Sequence, residues 1–93
     1  MAMNNTVWKF PLSITDRQYI LMPIGAEILT VQIHNSTPCL WAIVDPHPEK
    51  EREMRHIGIV GTGHPIYFKG EYISTIQTNN GSFVLHVFEI HEP

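Results

Sequence analysis

The sequence predicts an all-β fold, a single small antiparallel sandwich or open barrel of about seven strands formed by residues 1–93. Three observations carry that expectation. β-branched and aromatic residues come in short runs separated by Pro, Gly, Asn and Asp, and helical periodicity is almost absent. Asn79-Asn80-Gly81 lies between two such runs, and Asn-Gly is the chemistry that a tight hairpin needs where φ is positive.

Val7 to Leu12 is the first run, and Ser13 to Arg17 reads as a turn carrying Thr15 and Asp16. Gln18 to Met22 follows as a strand stopped by Pro23, and Ile24 to Glu27 makes the next connection. Ile28 to His34 alternates, which predicts Leu29, Val31 and Ile33 on the core face. Asn35 to Pro38 has hairpin-turn length. Cys39 to Val44 is almost continuously apolar, the pattern of a central strand covered on both sides, and Asp45-Pro46-His47-Pro48 ends it. The charged run Glu49 to Arg55 reads as a solvated loop entering a strand over Met54 to Val60. Tyr67 to Gly70 is a loop or short edge strand. Glu71 to Gln77 and Phe83 to Ile90 form the clearest hairpin.

With 93 residues, of which 43% are hydrophobic and 16% charged, the chain is too apolar to be disordered and too short to bury a large share of its surface alone. Self-association into a homo-oligomer is the expected outlet for the remaining apolar surface. The net charge is −3 and the basic residues form no stripe, which argues against nucleic-acid binding through phosphate neutralisation. Cys39 is the only cysteine, so no internal disulfide forms. No apolar run reaches membrane-spanning length and no signal-peptide pattern opens the chain, so a cytoplasmic protein with no membrane association is expected.

Chemistry concentrates at Gly61-Thr62-Gly63-His64-Pro65, directly after the apolar run Ile57 to Val60. Two glycines let a ligand approach the backbone, Thr62 and His64 offer polar groups, and Pro65 stiffens the exit. The six histidines include no pair at metal-binding spacing, so neither a metal nor another cofactor is expected. Only His34-Asn35-Ser36 matches a His-x-Ser unit, and no nucleophile elbow exists, so no catalytic residue is assigned. The expected ligand-binding set is Trp8, Trp41, Asp45, Arg55, Thr62, Gly63 and His64. In it the Gly63 and His64 amides and Arg55 engage phosphate, Thr62 and Asp45 bind hydroxyls, and Trp41 or Trp8 stacks on a base. Arg55 and His56 point to opposite faces of their strand, so only one of them can serve the same pocket.

Trp8-Lys9-Phe10, Pro38-Cys39-Leu40-Trp41-Ala42, Val44-Asp45-Pro46, Gly61-Thr62-Gly63-His64-Pro65 and His86-Val87-Phe88-Glu89 together resemble a family of small bacteriophage and prophage proteins of unknown function, over nearly the whole chain. That resemblance implies a phage protein acting in the infected host's cytoplasm. By analogy with phage proteins that sequester immune signals, it implies capture of a nucleotide-derived molecule, of the ADP-ribose or cyclic dinucleotide type, without cleavage. The alternatives are a protein-binding inhibitor of a host defence enzyme, a nucleotide-signal hydrolase, or a virion component.

Overall fold

The structure is a computed structural model that describes residues 4–92. Seven strands follow in chain order: β1 (Thr6–Pro11), β2 (Arg17–Pro23), β3 (Glu27–His34), β4 (Thr37–Val44), β5 (Arg52–Gly61), β6 (Gly70–Thr78) and β7 (Phe83–Ile90). They pair antiparallel into a three-stranded sheet, β1-β4-β3, and a four-stranded sheet, β2-β5-β7-β6, with no helix among the described residues. The all-β expectation holds in the form of a small two-sheet sandwich that does not close into a barrel.

Turn chemistry sets the pairing. Asn35 and Ser36, both at positive φ (50° and 65°), join His34 to Thr37 in a two-residue hairpin, so β4 begins earlier than the sequence suggested and includes Pro38. Asn79, Asn80 and Gly81 take positive φ in the second hairpin, between the paired residues Thr78 and Phe83. The side-chain amide of Gln18 bonds both backbone groups of Ser13, fixing the connection from β1 to β2.

Met22, Val31, Leu40, Val44, Ile57 and Val87 are fully buried between the sheets. Each such side chain contributes roughly 1.5–3 kcal/mol relative to exposure. The register of β3 corrects one expectation. A bulge between Ile28 and Thr30 puts Ile28 as well as Val31 against the core and leaves Leu29 exposed, with Ile33 at the rim. A bulge adds one residue to a strand and so reverses the alternation on one side of it. β4 is the central strand of its sheet, but its outer face is only partly covered, with Trp41 and Ile43 half-buried.

The two sheets meet along β3 and β6. Ser74 Oγ accepts from Val31 N at 2.8 Å and lies 3.0 Å from Thr30 Oγ1. Close by, Arg55 reaches across from β5, pairing with Glu89 on β7 and donating to the Ala26 carbonyl at 2.7 Å. Among the described residues no comparable bridge joins β1 to β2, so that side of the sandwich stays open.

Candidate functional site

Two adjoining clefts lie around the Gly61–His64 turn, near the start of β2. The first, of about 420 Å³, is lined by Asp16, Arg17, Ile59, His64, Tyr67 and Phe68, among others. The second, of about 550 Å³, is lined by Ile14, Thr15, Asp16, Thr62, Phe83 and Leu85, among others. Both volumes fall in the range of small-molecule sites.

The first cleft is built on missing side chains. A Cβ at Gly58 would lie 2.9 Å from the Phe68 ring, and one at Gly70 would lie 3.2 Å from it, so the ring beds onto the outer face of the four-stranded sheet only because both positions are glycine. Phe88 meets Phe68 edge-on at 5.6 Å between ring centres. Arg17, opposite Gly58 at the start of β2, stands over the Phe68 ring at 5.5 Å. Its guanidinium also contacts Glu92 at 3.0 Å and the Tyr67 carbonyl at 3.5 Å. Cation and aromatic rings therefore share one wall, an arrangement suited to a phosphate beside a planar ring.

The turn itself spends two of its three amides internally. Thr62 N donates to the Val84 carbonyl at 3.3 Å, and His64 N closes onto the Gly61 carbonyl at 3.1 Å. Gly63, at φ 86°, makes no hydrogen bond among the described residues, so its N–H is the one main-chain donor the turn leaves for a guest. Behind the turn, Thr62 Oγ1 meets His86 Nε2 at 2.7 Å, His86 Nδ1 meets Thr75 Oγ1 at 3.0 Å, and Thr75 Oγ1 meets Tyr72 OH at 2.8 Å. This chain of hydroxyls and one imidazole fixes the Thr62 side chain from β7 and β6.

Of the seven residues expected at the site, His64 lines both clefts and Thr62 the second, while Gly63, between them in the turn, lines neither. The other four lie elsewhere. Arg55 faces the interior, held by Glu89 through contacts at 2.5 and 3.0 Å and by the Ala26 carbonyl, so its donors are engaged within the fold. Its hydrogen bonds to the Glu89 carboxylate raise its pKa above the ordinary arginine value, while burial opposes that rise. His56, on the opposite face as expected, stacks on Tyr19 at 4.3 Å. Trp8 pairs with Ala42 on the inward side of β1 and packs against the core. Trp41 sits on the outer face of the three-stranded sheet, edge-on to His34 at 5.8 Å. Asp45, just past β4, accepts from His47 N at 3.1 Å and so shapes the turn that ends the strand.

Sequence reasoning missed Arg17, Tyr67, Phe68 and His86. Gly58, in the interior of a strand, was the available signal, because a glycine there often marks the close approach of another group. Among the described residues no group of three or more His, Cys, Asp or Glu is placed to hold a metal, and no helix is long and apolar enough to cross a membrane.

No curated protein and no solved structure gave a significant match to the chain. A family model described as a domain of unknown function (DUF7352) matches residues 3–93. The match takes in both sheets and both clefts, and the chain therefore belongs to the DUF7352 family.

Proposed function

We propose that this chain captures a small nucleotide-derived molecule in the clefts beside the Gly61–His64 turn and holds it without breaking it. In this reading it is a bacteriophage protein that withdraws an immune signal, of the ADP-ribose or cyclic dinucleotide type, from the infected cell's cytoplasm. The observation that carries the proposal is the wall shared by Arg17, Phe68 and Tyr67, in a cleft that Gly61 and His64 of the turn also line; within that turn the Gly63 N–H has no acceptor among the described residues. Arg17 takes the phosphate by exchanging its exposed pairing with Glu92, the Gly63 amide adds a second donor, and a ring stacks on Tyr67. Thr62, Thr15 and Asp16 in the adjoining cleft supply partners for sugar hydroxyls.

Isothermal titration against ADP-ribose derivatives and cyclic dinucleotides tests this, followed by heat release and chromatography of the ligand. Binding to one class and recovery of that ligand intact are expected, with Arg17→Ala weakening it by about tenfold or more. Failure to bind any of the panel counts against the proposal. The contact between Thr62 Oγ1 and His86 Nε2, with Thr75 on the other ring nitrogen, favours a second reading as a hydrolase of the same ligands. Cleaved ligand in the same chromatogram, lost in His86→Ala, would select it.

A further inference from the structure

The sandwich has two strands with a free edge on its open side, β1 and β2, and their backbone phases follow from the bonds at their ends. Ile59 N donates to Asp16 O at 3.0 Å at one end of β2, and Ile24 N donates to Glu51 O at 2.8 Å at the other. In an antiparallel ladder the groups alternate, so Gln18, Ile20 and Met22 direct theirs at β5 while Arg17, Tyr19 and Leu21 direct theirs away from the sheet. By the same reasoning from Leu12 N to Pro38 O, at 2.8 Å, the free edge of β1 belongs to Val7, Lys9 and Pro11.

The two edges are protected differently. β1 carries Lys9 at its middle, and pairing β1 with a copy of itself about that point sets Lys9 against Lys9, a like-charge contact that opposes association. β2 has no charged residue between Arg17 and Pro23. Its outward side chains Tyr19 and Leu21 are 62% and 47% exposed, and Met54, paired with Leu21 on β5, is 62% exposed. A free edge with an apolar stripe and no guard is a template for strand addition.

We infer that β2 is a homodimer edge, and that its occupant is β2 of a second copy, antiparallel about a two-fold axis at Ile20. In this register Tyr19 meets Leu21 of the second copy and exchanges both backbone bonds with it, as does the symmetric pair. Each Arg17 falls opposite Pro23, so no like charges oppose one another. Pro23 has no N–H and its carbonyl already accepts from Ala26 N at 3.1 Å, which makes it a natural end to the pairing. The self-complementarity of this pattern is what an isologous interface demands and what an unrelated strand would match only by chance. The result is one continuous eight-stranded sheet, two copies of the four-stranded sheet, with Tyr19, Leu21, His56 and Met54 of both chains on one face.

Sedimentation equilibrium of the full chain, with hydrogen exchange read at two protein concentrations, tests the interface. Twice the chain mass is expected, together with Tyr19 and Leu21 amides whose exchange slows as concentration rises. Leu21→Lys is expected to give a folded monomer by circular dichroism. A wild-type chain that stays monomeric at about millimolar concentration, exchange at Tyr19 and Leu21 that ignores concentration, or a Leu21→Lys chain that still dimerises would overturn the inference. These readouts need no ligand, so they stand or fall independently of the capture function.

Discussion

The sandwich has one sealed seam and one open seam, and different kinds of group make them. Along β3 and β6 the seam is polar: the Ser74 hydroxyl takes the Val31 amide, and the Arg55–Glu89 pair reaches the Ala26 carbonyl. Both strands carry a bulge there, at Leu29 and at Ile73. Along β1 and β2 the edges stay unpaired; the apolar stripe of Tyr19, Leu21 and Met54 lies beside the β2 edge, and the clefts lie around the Gly61–His64 turn near its Arg17 end. This small domain thus concentrates its cross-sheet polar bonds on one side and leaves two strand edges unpaired on the other.

The sealed seam should be the more sensitive to single changes, and the ion pair the most sensitive element in it. Arg55 and Glu89 side chains are 16% and 12% exposed, so Glu89→Ala strands a cation that the fold has taken from water. A loss of about 3 kcal/mol is expected in urea unfolding. The pH dependence has a definite sign. Because the folded pKa of Arg55 is raised, its charge and the stability it contributes are fully present below the ordinary arginine value and disappear only as pH climbs through the folded value. The stability gap between wild type and variant should therefore be flat from about pH 6 to about pH 9. A gap that closes within that window would show that some other group governs the pair.

Ser74→Ala acts on the same seam with a smaller effect. It removes the acceptor of the buried Val31 amide, which costs about 2 kcal/mol when no other group can replace it. Faster hydrogen exchange at the Val31 amide should accompany the loss. Undiminished protection of that amide would mean that the two sheets are held together there by packing alone.

The strands were legible because turn chemistry and alternation are local. The Asn79-Asn80-Gly81 hairpin, the central position of β4 and the opposed faces of Arg55 and His56 all follow from neighbouring residues. The seam and the site were not, because they join residues far apart in the chain. Ser74 looks like an ordinary strand serine until the bulge at Ile73 turns it toward Val31, and nothing in β5 announces that Arg55 will be spent on Glu89. The Gly61–His64 turn was found from its own composition. Its partners Arg17 and Phe68 come from the start of β2 and the crossing segment before β6, and only the bare surface at Gly58 joins them.

The smallest effect on folding, and the sharpest on the open seam, is expected from Lys9→Val. An exposed strand position away from the core changes stability by about 0.5 kcal/mol or less, and valine suits a strand, so the unfolding curve should barely move. What changes is the guard on the second edge. With the lysine gone, β1 can pair about position 9 with its own copy while β2 pairs about Ile20. A chain with two isologous interfaces that do not share an axis cannot stop at a dimer, so Lys9→Val should build open-ended chains whose mean mass, read by light scattering, grows with concentration. Adding Leu21→Lys should then cut these chains back to dimers held through β1. If Lys9→Val instead keeps the wild-type mass at every concentration, the lysine is not what keeps β1 unpaired, and the contrast between the two edges must be sought in the twist of the strands.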